Sequence, residues 1–177
     1  AAGTAAKSLE KANFKVITFY IPPDNTAEDI CAGLIKSNEN FAQIVVEGSL
    51  LSLYHFDEYK KSAKEKPSRI KQIFLLASVK SQVSSMRRAV SRGQKLVAAV
   101  AASRDLISQP SNKATPSYLA DKAREFSKSF GMSCKVLTIR DMNKLGMGAL
   151  LGVSKGSEEP PAFIILEHHG GTKSDPP

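Results

Sequence analysis

Several residues in this chain have side chains that do chemistry, and their spacing limits what they can do. His168 and His169 are adjacent, and so are Glu158 and Glu159. Either pair could offer metal ligands, and two carboxylates could serve as acid and base. Adjacent residues in an extended segment point to opposite sides, so neither pair readily shares one ion. No Cys, Asp or third His stands at ligand spacing beside the His pair. Glu158-Glu159 reads instead as a solvated loop before a strand. Ser103, Arg104 and Asp105 suggest a hydrolytic triad, but no His is near in sequence and no GxSxG elbow is present. Arg104 and Asp105 could form an ion pair instead. Arg104 falls on an apolar helical stripe, where burial without a partner would be costly. Gly146, Gly148, Gly152 and Gly156, with Lys155, suggest a phosphate loop. Their spacing fits neither GxGxxG nor GxxxxGK[ST], so they read as backbone devices, placed where φ is positive or a segment comes close.

The cations form a second group. Lys60, Lys61, Lys64, Lys66 and Arg69 fall in one loop, while Arg87, Arg88, Arg92 and Lys95 fall mostly off the apolar stripe of a helix. They could bind phosphates, or they could be a solvated face, which is the usual role of charge runs on helices. The formal charge of +8 permits a nucleic-acid or anionic-surface partner without requiring one. Cys31 and Cys134 lie far apart among apolar neighbours and read as two buried, reduced thiols of a cytosolic protein.

The elements that position these residues follow from hydrophobic spacing. Length suits one domain or two small ones, and 42% apolar with 24% charged residues is a normal globular balance. No apolar run approaches the roughly 18 residues a membrane span needs, and no signal-peptide core opens the chain. Ala5 to Ala12 reads as the end of a helix stopped by Asn13. Lys15 to Ile21 is β-branched and aromatic, a strand ended by Pro22-Pro23. Asp24, Asn25 and Thr26 can cap a helix whose stripe is Ala27, Ile30, Cys31, Leu34 and Ile35. Ser37 to Asn40 either interrupts that helix or lies within it. Phe41, Ile44, Val45, Gly48, Leu51 and Tyr54 continue the period, placing His55 late in a helix as a structural residue. Gly48 there costs about 1 kcal/mol against Ala, which a closely packed neighbour would explain.

After the basic loop, Ile70 to Ala77 is apolar on successive residues, as in a strand covered on both faces. Ser81 to Ile107 is the longest helix, about 40 Å at 1.5 Å per residue. Its stripe runs Val83, Met86, Val90, Gly93, Val97, Val100, Arg104. Pro110 ends it. Thr115-Pro116 opens the next helix as cap and first position, with Leu119, Ala123, Phe126 and Phe130 as its buried face and Gly131 as its C-cap. Cys134 to Ile139 is a strand, Asp141 caps a short helix ending at Gly146, and Ala162 to Leu166 is a last apolar strand. Strands alternate with helices, so the expected class is α/β, with mainly parallel sheets flanked by helices and two lobes joined by a long helix.

Two segments carry a resemblance. SRDLISQPSNKATPSYLADKA, from Ser103, resembles the RDL-x-x-x-P-(S/A)-N-x-x-TP-x-x-(L/F)-A segment of the leucyl aminopeptidase family, dinuclear-metal exopeptidases of the cytosol. LGMGALLGVSKGSEEPPAFIILEHHGG, from Leu145, resembles that family's GMG-x-x-L-x-V-(A/S)-KGS-x-E-PP segment. The resemblance implies residues 1–80 as the latter part of an N-terminal α/β lobe, 81–109 as a linking helix and 110–177 as the start of a catalytic lobe. It also implies a cytoplasmic homohexamer acting on peptide substrates. Two divalent ions per subunit (Zn, Mn or Mg) would polarise the peptide carbonyl and activate water. The family's ligand motifs, resembling GKGxTFDSGG and NTDAEGR, do not occur here. No catalytic or metal residue is therefore expected in this segment, which reads as an internal piece, inactive alone, of a metallo-aminopeptidase. The alternatives are DNA binding through Lys60, Lys61, Lys64, Lys66, Arg69, Arg87, Arg88 and Arg92, or a non-catalytic assembly role.

Overall fold

The computed structural model describes residues 1–23, 37–60 and 70–171. The chain divides into two compact units, Ala1–Ser108 and Gln109–Pro177.

In the first unit, α1 (Ala2–Lys11) ends at Asn13, whose φ of 67° lies in the left-handed region that Asn tolerates. Strands β1 (Val16–Ile21) and β2 (Gln72–Ala77) pair in parallel, from Val16 opposite Gln72 to Ile21 opposite Ala77. A parallel pair needs a long crossover, and α2 (Asn38–Ser52) lies within it. Ser37 is a true break before α2. Its backbone is extended, and its hydroxyl accepts the Asn40 N–H at 3.2 Å. The preceding stretch with Ala27 to Ile35 lies outside the described residues. A single 3₁₀ turn, Lys80–Gln82, leads into α3 (Val83–Ile107).

The core joins Ile21, Ala42, Val45, Met86 and Ala89, with Ala2, Phe19, Phe41, Leu75 and Ala77 packed against it. The buried face of α2 differs from the expected stripe. It is Asn38, Ala42, Val45, Val46 and Ser49, while Ile44 is exposed. Small residues line this face because the helices come close. A Cβ on Gly3 would sit 2.6 Å from the Gly48 carbonyl oxygen, and one on Gly93 would sit 3.1 Å from Val46. On α3 the buried set is Met86, Ala89 and Gly93, all in its first half.

Successive apolar residues predict a β2 covered on both faces, yet only one is packed by the described residues. Burial alternates along it, and Phe74 and Leu76 are about half exposed beside Thr18 and Tyr20 of β1. The core gathers residues of α1, α2 and α3 in one cluster with Phe19, Ile21, Leu75 and Ala77 of the opposite face. His55 follows the end of α2 rather than sitting in a helix. Its Nε2 lies 3.6 Å from a Glu10 carboxylate oxygen of α1.

In the second unit, α4 (Pro116–Phe130) starts as expected. The Thr115 hydroxyl accepts the Tyr118 N–H at 3.3 Å, Pro116 takes the first position, and Gly131 closes the helix at φ 65°. Its buried face is Ala120, Ala123 and Ser127; of the expected line Ala123 is buried, while Leu119 and Phe130 are exposed. β3 (Ser133–Leu137) pairs with β4 (Phe163–Glu167), and this pair is antiparallel. Leu137, at the end of β3, lies opposite Phe163, at the start of β4. The chain between them returns to the end it left, so its two short helices make a local excursion and not a crossover. The first is α5 (Ile139–Lys144), capped by Thr138. Asp141 is the reciprocal member of a capping box, not the cap itself. The second, α6 (Gly148–Ser154), occupies a stretch whose glycine spacing suggests a loop. Gly146 alone among these glycines has positive φ, at 68°. No helix among the described residues is long and apolar enough to cross a membrane.

Candidate functional site

The adjacent side chains of Ser103, Arg104 and Asp105 have three separate partners. The Ser103 hydroxyl donates to the Ala99 carbonyl one turn back, at 3.0 Å, a common resting place for a helical serine. Arg104 Nη1 donates to the Leu51 carbonyl at 3.2 Å, and its guanidinium lies 5.4 Å from the Tyr54 ring centroid. It thereby places a cation at the C-terminal end of α2, where the last carbonyls lack helical partners. Asp105 accepts the Tyr54 phenol at 2.6 Å. The expected Arg104–Asp105 ion pair is replaced by this clasp around Tyr54, and Arg104 is exposed. The Tyr54 phenol titrates above its ordinary value. The hydrogen bond to Asp105 favours the neutral form, partial desolvation adds to it, and the Asp105 charge opposes a phenolate. The three residues form no triad. Tyr54, fifty-one positions before Asp105, is the member that sequence spacing could not nominate.

The metal candidates do not assemble. Glu158, Glu159, His168 and His169 are exposed. The Glu159 N–H is held by Ser157 Oγ at 3.1 Å. Among the described residues no three His, Cys, Asp or Glu side chains could hold one ion. The described residues therefore do not fit a dinuclear centre. Cys134 is a free, half-buried thiol, and Cys31 lies outside the described residues.

The cations do gather in part. Arg87, Arg88, Arg92 and Lys95 line one shallow basin of about 450 Å³ together with Ser91. Arg88 reaches Glu39 at 3.4 Å. Lys60 is paired with Asp57 at 3.5 Å. Lys61, Lys64, Lys66 and Arg69 lie outside the described residues.

In the second unit the structure brings the two signature segments together. Ser117, Ala120, Asp121 and Arg124 of α4 face Pro160, Pro161 and Ala162 across a groove of about 390 Å³, which Thr138 and Arg140 also line. The Asp121–Arg124 ion pair there, at 2.7 Å, is well exposed and contributes little to stability. The groove holds no nucleophile–base pair. Asp141, beside it in sequence, has its carboxyl held below the ordinary carboxylate value by the Thr138 hydroxyl, then by the Thr138 N–H. That is a capping arrangement.

Residues 101–177 match the model of the cytosol aminopeptidase family, catalytic domain. A probable cytosol aminopeptidase of Geotalea uraniireducens is 37% identical over 177 residues, covering 99% of this chain, and the chain spans 33% of that relative. Among solved structures, the bottromycin maturation enzyme BotP in complex with Mn superposes with a TM-score of 0.69 at 27% identity, over 94% of this chain and 33% of that one. A tomato leucine aminopeptidase mutant superposes with a TM-score of 0.78 at 23% identity, over 93% and 31%, and establishes likeness of fold. The family match begins at Ala101 in α3, so Arg104 and Asp105, which clasp Tyr54, count within it. From its signature segments, its fold and these relatives, the chain belongs to the leucyl aminopeptidase family, the cytosol aminopeptidases.

Proposed function

We propose that this chain is part of a metal-dependent aminopeptidase that removes N-terminal residues, Leu among them, from peptides. The observation that carries the reading is the 37% identity to a probable cytosol aminopeptidase over 99% of this chain. The catalytic-domain match over 101–177 supports it, and the Mn complex of BotP supports a divalent metal. The chain spans a third of its relative's length, and its described residues offer no ligand set. Two ions per subunit (Zn, Mn or Mg) belong to the same proposal, on the family's ligand motifs, which this sequence lacks. What this chain contributes is position. The Thr115-Pro116 cap fixes the start of α4, the Thr138–Asp141 box fixes the turn after β3, and β4 carries the chain on to His168. A cytosolic homohexamer belongs to the same proposal.

The full-length protein, loaded with Mn or Zn, is expected to release leucine from leucine amide and to lose that activity on chelation. The chain of 177 residues alone is expected to show no turnover. A full-length protein that stays inactive with every divalent ion would overturn the first expectation. Metal-dependent turnover by the chain alone would overturn the second. Particle mass in solution checks the hexamer.

A further inference from the structure

We infer that the exposed face of α3 carrying Arg87, Arg88, Arg92 and Lys95 is a binding site for phosphoryl anions, for a ligand with two or more neighbouring phosphates. Residues four apart lie on one helical face, and the steps 87–91–95 and 88–92 bring these four cations and Ser91 around a single basin. No carboxylate and no apolar side chain lines it. The opposite face of α3, with Met86, Ala89 and Gly93, is buried in the first unit, so the cations cannot turn inward. Like charges four apart oppose the helix, and a bound anion would relieve that repulsion. The guanidinium fork matches phosphate oxygens two at a time, and three of the four cations are Arg.

Two further features narrow the ligand. No aromatic residue lines the basin, so it offers oxyanion contacts and no platform for stacking. The apolar side of α3 faces the core, so the helix cannot lie in a bilayer as an amphipathic helix does. The run from Arg87 to Lys95 rises roughly 12 Å along the axis, more than one phosphate spans. Glu39 is the internal competitor. It reaches Arg88 at 3.4 Å, a long contact, and the Arg88 side chain stays 64% exposed.

Isothermal titration of the full-length protein with tripolyphosphate at low ionic strength tests the site. Wild-type protein is expected to bind, with affinity falling as salt rises. Arg87→Gln with Arg92→Gln should weaken binding by about tenfold or more. Lys122→Gln with Lys128→Gln removes the same charge from α4 and should leave affinity unchanged. Glu39→Gln frees Arg88 and should tighten binding several-fold, a gain that general misfolding cannot produce. Absence of binding by wild-type protein would overturn the proposal. So would equal weakening in the two double variants, or no tightening with Glu39→Gln. A parallel titration with a short DNA duplex separates the two sources of such phosphates. Sensitivity of the duplex to the Arg pair assigns a nucleic-acid backbone, and insensitivity assigns a free polyphosphate compound.

Discussion

Gly93→Ala probes how closely α2 and α3 pack. An added Cβ would lie 3.1 Å from Val46 Cγ1, 3.3 Å from Val46 Cβ and 3.4 Å from the Gln43 carbonyl oxygen. None of these neighbours moves freely. Val46 is buried and β-branched, with one dominant rotamer in a helix, and the Gln43 oxygen is backbone. Replacing Gly by Ala inside a helix gains about 1 kcal/mol, while overpacking a tight core costs about 1–3 kcal/mol. The expected result is a net loss of about 1 kcal/mol. Val46→Ala alone deletes two buried carbons at about 0.8 kcal/mol each, and with the cavity it should cost about 2 kcal/mol. In the double variant the new methyl enters the vacated space and the propensity gain is recovered. The pair should then be destabilised by about 1 kcal/mol, not the summed 3, a coupling of about 2 kcal/mol. Urea unfolding followed by far-ultraviolet circular dichroism, read as a midpoint shift at constant slope, measures each value. Gly48→Ala is the internal control. Its Cβ would meet Gly3 N at 3.5 Å and Ala2 Cβ at 3.7 Å, ordinary contacts, so it should stabilise by up to about 1 kcal/mol. Additive single variants, or a Gly93→Ala protein as stabilised as Gly48→Ala, would refute the packing argument.

Three further outcomes follow from the local geometry. Gly131 has φ 65° with nothing within 4 Å of an added Cβ, so Gly131→Ala should cost about 1 kcal/mol through backbone strain alone. A raised melting temperature would contradict this. The folded-state pKa of Tyr54 is raised, so its contribution to stability is complete below the ordinary value of 10.0 and is lost as pH rises through the folded pKa. Phenolate absorbance, taken as the difference from Tyr54→Phe, should show late ionisation that Asp105→Asn brings back toward 10.0; ionisation at or below that value in the parent chain would sink the clasp. The folded-state pKa of Asp141 is lowered, so its contribution is present above the ordinary value of 3.8 and lost as pH falls through the folded pKa. Asp141→Asn should therefore flatten the acid limb of the stability curve, and an unchanged limb would remove the capping box as its cause.

Much of the local structure is legible because local rules determine it. Thr115-Pro116, Gly131 and the strands at Val16–Ile21 and Gln72–Ala77 lie within a residue or two of where spacing puts them. The Thr138–Asp141 box carries its own signal, a Thr three residues before an acid; either residue type can cap, and only the backbone shows that Thr138 is the cap. The inward faces of α2 and α4 are less legible. A periodic pattern offers Ile44 and Phe130 as readily as Ala42 and Ala120, and the choice depends on how close the neighbouring segment comes. At Gly3–Gly48 and Gly93–Val46 it comes too close for large side chains.

The sequence by itself determined the family, because SRDLISQPSNKATP and LGMGALLGVSKGSEEPP are written in residue order, and it excluded the metal motifs from this chain on the same ground. The tertiary structure decided what those residues do. It paired Asp105 with Tyr54 and Arg104 with Leu51, across about fifty residues of chain. It ran β3 and β4 antiparallel, and it drew four cations of α3 around one basin. Contacts between residues far apart in sequence depend on how whole helices and strands pack, and no spacing along the chain encodes that distance.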